Sequence, residues 1–465
     1  MQEVYASAIS IRDQLRTLGG ITPEIHEAAT NLYIELRKID SSLSIRTGPP
    51  IINRYTSPRP VVCGDGENQT ITDEPFSNYF NDPIRVSYLV DWILLVLPII
   101  RAVKAGGDLP TDRDGSGFQA FFDRLMDTYA NELKHLPVDD VITSADLQIL
   151  QLLCDSLKSA VAHYLKGQPS IAYNVLAAAI DKFDGYIPLD SIASDISSRA
   201  KDLYKIRVSD DLALNKMDML HIPFQQRGKA STNRYSIPGL PCLYLGSSPL
   251  ICWEELNRPN KEKIHTSLFV AKDELNFLDF SVPPMVFVKR AQEIFEMVFG
   301  PNQEEVNQLS ELYNTMKLYA LLWPLIAACS IRVKNRNDPF KPEYIIPQLL
   351  LQWVQQSEKY DGICYFSTKI KHYNFQNIAH FRNYALPVKS CRDEGYCTEI
   401  QNLFHDWTAG VPWPIFELHK GTVPGGGNGK ESALIEVVDN VKIYYHQTDF
   451  CKLESFLHSV LYPRM

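Results

Sequence analysis

Apolar residues recur at helical spacing from Ile25 to Leu36, just after Thr22-Pro23, which reads as a cap and a first-turn proline. Phe118–Leu136 repeats the pattern after the breaker-rich stretch Gly106–Gly117. Ala145–Leu165 and Ser170–Phe183 predict a helical hairpin turning at Lys166-Gly167-Gln168-Pro169. Residues 46–83, rich in Pro, Gly, Asn and Asp, predict a long loop. Two apolar runs, Val86–Val103 and Leu318–Ile331, predict buried core helices; the first is interrupted by Asp91, Pro98 and Arg101 and so lacks an unbroken span of membrane length.

The pattern changes near residue 195. Short β-type runs follow at Cys242–Leu245, Ser267–Ala271, Phe277–Phe280, Gly362–Phe366 and Tyr384–Val388. Helical segments interrupt them around Glu304–Ile331 and Ile346–Glu358. Ala433–Val438 and Val441–Tyr445 predict a hairpin across Asp439-Asn440, and Thr448–His458 a closing helix. This mixture predicts an α+β fold. The expected organisation is a helical N-terminal domain (1–195), a mixed domain (196–400) and a C-terminal extension packed on it (401–465).

Composition narrows the function. The 465 residues exceed one ordinary core, and 45% hydrophobic with 22% charged residues is typical of a soluble globular chain. The net charge of −9, with no long basic run, argues against a nucleic-acid partner. The start, MQEVYASAISIRDQ, lacks a basic region followed by an apolar stretch, so it does not read as a signal peptide. Nine irregularly spaced cysteines form no zinc-ligand pattern and suit reduced thiols in the cytoplasm. No metal and no membrane partner is expected. Pro424–Gly429 departs from a phosphate loop, since Lys430 is followed by Glu431, and reads as a flexible glycine loop. His221, in His221-Ile222-Pro223-Phe224, reads as part of a packed connector.

The chemistry concentrates between Leu203 and Leu256. Arg207 comes first, then Tyr244 in a predicted strand, then Glu255. These residue types suit cleavage of the nicotinamide–ribose bond of NAD⁺. A guanidinium fixes the pyrophosphate. An aromatic ring stacks on the nicotinamide. A carboxylate stabilises the positive charge that develops on the ribose.

The run Arg234-Tyr235-Ser236-Ile237-Pro238-Gly239-Leu240-Pro241-Cys242-Leu243-Tyr244-Leu245, with Glu255 eleven residues after Tyr244, resembles the RES domain. Asp361-Gly362-Ile363-Cys364-Tyr365-Phe366-Ser367 and Asn383-Tyr384-Ala385-Leu386-Pro387 are similar to its later elements. The resemblance covers roughly residues 200–390. It implies an ADP-ribosyltransferase-like fold and an NAD⁺-degrading or ADP-ribosylating toxin, restrained by an antitoxin or inhibitor protein. By that resemblance Tyr244 and Glu255 are catalytic and Ser367 lies near the substrate phosphate or ribose. The leading arginine is Arg207, with Arg227 and Arg234 as competitors, because Lys205 follows Tyr204 where the family has an arginine. Transferases of this type often carry a second acid or Gln two positions before the catalytic glutamate. Trp253 stands there, which favours hydrolysis or phosphorolysis over modification of a protein or nucleic acid. A non-catalytic nucleotide-binding protein is the alternative of another class. The N-terminal half is expected to regulate or to build a homo-oligomer, in a toxin–antitoxin pair or a phage-defence effector.

Overall fold

The computed structural model describes residues 1–40, 80–136, 141–189, 201–272, 275–298, 308–374, 376–421, 433–438 and 441–462. The loop expected over 46–83, save its last residues, and the glycine loop at 424–429 lie outside the described residues. Helices and a mixed sheet make the fold α+β.

Eight strands form the main sheet: β1 (Asp202–Val208), β2 (Cys242–Gly246), β3 (Ile264–Ala271), β4 (Phe277–Phe280), β5 (Gly362–Phe366), β6 (Arg382–Pro387), β7 (Phe404–Trp407) and β8 (Val411–Pro412). Their order is β4-β5-β6-β2-β1-β3-β7, with β8 also on β3. Only β4 and β5 run parallel; the other pairs are antiparallel. A separate hairpin pairs β9 (Leu434–Val438) with β10 (Val441–Tyr444). The sheet buries both faces. Leu203, Leu243, Leu245, Phe269 and Leu386 belong to one apolar cluster. Tyr204, Ile206, Ile264 and Leu268 belong to another, with Trp413, Phe416, Phe450 and Leu457. Period-two alternation along β1 and β3 sorts residues between the two clusters. Because β7 and β8 pair with β3, residues beyond 400 supply strands of this sheet.

The helices follow the predicted spacing closely. Pro23–Ile39 opens with the Thr22 hydroxyl accepting from the Ile25 amide at 3.3 Å. Pro83–Ala105 is long and apolar enough to cross a membrane, but 78% of its most apolar window is buried within the fold. Ser144–Leu165 and Pro169–Tyr186 form the hairpin. The helix Gln2–Leu18, strand β1 and the short helices Pro249–Glu255 and Trp413–His419 go beyond the sequence reading.

Two compact units emerge, and they do not follow the change of pattern near residue 195. The first comprises Met1–Ala102, Leu133–Thr143 and Val288–Lys317. Within it Trp92 meets Phe295 at 4.6 Å and the Tyr313 hydroxyl donates to the Val141 carbonyl at 2.7 Å. The second comprises Val103–Glu132, Ser144–Phe287 and Leu318–Met465. There Tyr129 stacks on Trp323 at 4.1 Å and donates to the Ala320 carbonyl at 2.6 Å. Trp353 donates to Asp181 at 2.8 Å. The expected helical domain 1–195 is thus divided, because its later helices share a core with the sheet. Long-range stacking of this kind leaves no trace in local periodicity.

A chain beginning at Asp202 lacks Tyr129 and the hairpin, so it should aggregate or fail to melt cooperatively. In the full chain, Trp323→Ala should lower stability by about 3–5 kcal/mol, measured by urea unfolding. A cooperative melt of the short chain would show that the sheet folds without those helices.

Candidate active site

The site begins with a defect in the sheet. β1 and β2 pair at a single position, Tyr204 opposite Gly246. From there the two strands contribute facing walls to one cleft of about 750 Å³, Lys205, Ile206 and Arg207 from β1 and Cys242, Tyr244 and Leu245 from β2. That volume lies in the range of small-molecule sites, about 300–1,000 Å³. Arg207, Tyr244, Glu255 and Arg234 all line it.

Glu255 ends the helix Pro249–Glu255. Ser248 starts that helix, accepting from the Ile251 amide at 3.2 Å, with Pro249 at the first position. Gly246 lets it approach β2: a Cβ there would meet Ile251 Cγ2 at 2.6 Å and Cys252 Sγ at 2.7 Å. Two residues with positive φ follow, Asn257 (62°) and Arg258 (55°), and turn the chain away. Left-handed backbone at a non-glycine residue costs roughly 1–2 kcal/mol.

The Glu255 carboxylate is held through one oxygen. Oε1 accepts from the Ser367 hydroxyl at 2.5 Å and from Asn383 Nδ2 at 2.8 Å. Ser367 Oγ itself accepts from the Lys369 amide at 3.1 Å, so its single proton is committed to Glu255. Among the described residues, Oε2 has only the Lys369 ammonium, at 3.7 Å. Lys369 is fixed by the Glu254 and Glu255 carbonyls and by Asn257 Oδ1. Glu254, the residue before Glu255, is buried outside the cleft and accepts from Arg258 Nε at 2.8 Å.

Tyr244 lies in the β2 wall. Its hydroxyl donates to the Tyr235 carbonyl at 2.6 Å, so the ring is anchored by its edge. Arg207 and Lys205 share one face of β1, two residues apart. The Leu220 carbonyl accepts from Lys205 Nζ at 2.7 Å and from Arg207 Nη2 at 3.4 Å. Among the described residues neither cation forms a salt bridge. Burial, then the neighbouring Arg207, pushes the Lys205 ammonium down to about 7. Burial also lowers Arg207, although a guanidinium stays charged. Two enclosed basic side chains sharing one carbonyl oxygen could attract an anion.

The remaining expected residues fall elsewhere. Arg234 lines the cleft but spends its guanidinium on the Cys329 and Ile331 carbonyls, at 3.0 and 2.8 Å. These cap the helix Gln308–Ser330, where a cation is favoured. Ser367 is fully buried behind Glu255 and is absent from the cleft wall. Arg227 donates to the Phe224 and Arg392 carbonyls, outside the cleft. His221 is a connector residue: Nε2 accepts from the Cys397 amide at 2.9 Å, so Nδ1 donates to the Ile222 carbonyl at 2.7 Å. Lys205, Lys369 and Asn383 are the residues that sequence reasoning passed over. Asn383 carried a signal, since it opens the quoted Asn-Tyr-Ala-Leu-Pro run.

The chain is 32% identical over 463 residues to a Bacillus subtilis (strain 168) protein named "Putative toxin YopC", a match covering 98% of this chain and 97% of that protein. No protein-family model and no solved structure matches the chain.

Lys205→Met tests the enclosed cation. Its folded pKa lies below the ordinary lysine value of about 10.4, so the unfolded chain binds more protons between about 7 and that value. This group therefore penalises folding fully at pH 7 and below, and the penalty fades as pH rises. Lys205→Met should raise the urea midpoint most near pH 7, with the gain shrinking toward pH 10. An unchanged or lowered midpoint at pH 7 would mean that the charge is compensated.

Proposed function

The chain belongs to the same family as the Bacillus protein YopC, and on that premise we propose that it is a growth-arresting toxin that consumes NAD⁺. The observation that carries the proposal is the convergence of Arg207, Tyr244 and Glu255 on one cleft, with Glu255 held by Ser367 and Asn383. The RES-like reading of the sequence draws support from that convergence.

Arg207, with Lys205 beside it, binds the pyrophosphate. Tyr244 holds the nicotinamide end of the dinucleotide. The bond between ribose C1′ and the nicotinamide nitrogen breaks, its electron pair goes to that nitrogen, and the ring leaves neutral. Positive charge develops on C1′ and the ring oxygen of the ribose. Glu255 Oε2, the less engaged oxygen, faces that charge and stabilises it. Water then attacks C1′ and passes its proton to solvent, or phosphate attacks through an anionic oxygen. Lys369 restrains the carboxylate without neutralising it at short range.

Trp253 supports a small acceptor. It stands where a transferase would carry its second acid. Its indole donates to the Pro259 carbonyl at 2.9 Å and its ring packs on Phe450, outside the cleft.

Expression of the chain should arrest growth and deplete dinucleotide, read by mass spectrometry of cell extracts. Purified Glu255→Gln should lose about 10²–10³ in turnover, while dinucleotide affinity stays within a few-fold, because the charge matters most in the transition state. Glu254→Gln, on the residue paired with Arg258, should keep nearly full turnover. Growth arrest with an intact dinucleotide pool, or a dead Glu254→Gln beside an active Glu255→Gln, would overturn the assignment.

A further inference from the structure

One phenol of the cleft wall has no hydrogen-bonding work within the described protein. Tyr365 lies on β5 directly opposite Asn383 of β6, and Asn383 lies opposite Gly246 of β2. Residues opposed across strands share one sheet face, with Cβ atoms about 5 Å apart. Tyr244, two positions before Gly246, belongs to the same face. Tyr365, Asn383 and Tyr244 all line the cleft. Tyr365 therefore stands beside the amide that donates to Glu255 Oε1 at 2.8 Å.

The ring of Tyr365 is held, but its hydroxyl is not. The ring packs on Tyr235, with centres 4.4 Å apart, and the Tyr235 carbonyl accepts from the Tyr244 hydroxyl at 2.6 Å. The Tyr365 hydroxyl forms no hydrogen bond among the described residues. An enclosed phenol usually has a partner for its O–H. Burial, then the Glu255 carboxylate, raises this phenol well above its ordinary pKa, so it keeps its proton and can donate.

We infer that the Tyr365 hydroxyl hydrogen-bonds the 2′-hydroxyl of the ribose that carries the nicotinamide, which makes Tyr365 a further catalytic residue of the cleft. The inference rests on the proposed dinucleotide cleavage and adds a residue to that site. In that reading Tyr244 and the β1 pair engage the two sides of this ribose, the nicotinamide and the pyrophosphate. The ribose itself lies at Glu255, and its 2′-hydroxyl stands on the carbon next to C1′. Tyr365 is the neighbour of Glu255 with a hydroxyl to spare. In sugar transfer, hydrogen bonds to the hydroxyl beside the reacting carbon strengthen as positive charge develops. The contact therefore acts more on turnover than on binding.

The test uses the purified full chain, its Tyr365→Phe variant, and two substrates: NAD⁺ and the analogue lacking the 2′-hydroxyl on the nicotinamide ribose. With uncatalysed rates subtracted, Tyr365→Phe should lower kcat/KM for NAD⁺ at least tenfold, mostly in kcat, and for the analogue less than twofold. The urea midpoint should not move, because the deleted hydroxyl has no partner among the described residues. Equal losses on the two substrates, no loss on NAD⁺, or a lowered midpoint overturns the inference. If the wild-type chain does not cleave NAD⁺, the proposed function fails, and calorimetry with ADP-ribose and with ADP, which lacks the terminal ribose, reads the contact instead. The contact then stands on an at least threefold tighter binding of ADP-ribose that Tyr365→Phe abolishes. It falls if that preference is absent or survives the variant.

Discussion

β1 and β2 touch at one residue pair, and the chemistry of the second unit depends on that restraint. A continuous ladder between them would bring the strands to the usual spacing of about 4.8 Å and leave no room for a ligand. With pairing confined to Tyr204 and Gly246, Lys205 and Arg207 are carried on one wall and Tyr244 on the other. The same glycine admits the helix that ends in Glu255. The residue at that one pairing, having no side chain, therefore also sets the position of the carboxylate.

Charge is distributed unevenly in that opening. The carboxylate is fully supported: Ser367 and Asn383 satisfy one oxygen, and Lys369 is spread over two carbonyls, a side-chain amide and the second oxygen. The basic side chains on β1 are under-supported, with a single carbonyl between them among the described residues. Burying a charge without a partner is costly. On the proposed function, an anion arriving at β1 would recover that cost, and Glu255 would act from a place it already holds.

Local pattern made much of this legible. Thr22-Pro23 marked a helix start that the structure reproduces, and Phe277–Phe280 and Gly362–Phe366 match their strands. Tyr244 and Glu255 share one cleft at the spacing that drew attention to them. Strand β1 was hidden because Asp202-Leu203-Tyr204-Lys205-Ile206-Arg207-Val208 places two cations on an inward face, which breaks the apolar alternation of a strand. The helix Pro249–Glu255 is too short to show a period. The work of Lys369 depends on residues more than a hundred positions earlier in the chain. Such pairings exist only once the chain is folded.

The two arginines show why residue type alone does not assign a role. Arg234 and Arg207 line the same cleft, yet Arg234 meets the exposed carbonyls of a helix end and is consumed by them. Arg207 meets a lone carbonyl at 3.4 Å and stays available. A similar division applies to the segment that carries Arg336 and Lys341. Its start is tied down by residues far earlier in the chain: the Arg332 amide donates to the Thr111 carbonyl at 2.8 Å, Lys334 Nζ to the Asp114 carbonyl at 3.2 Å, and Arg113 pairs with Glu343 at 3.2 Å. Thr111–Asp114 belongs to the part of the chain expected to regulate rather than to catalyse. It anchors the segment that brings Arg336 and Lys341 to the cleft.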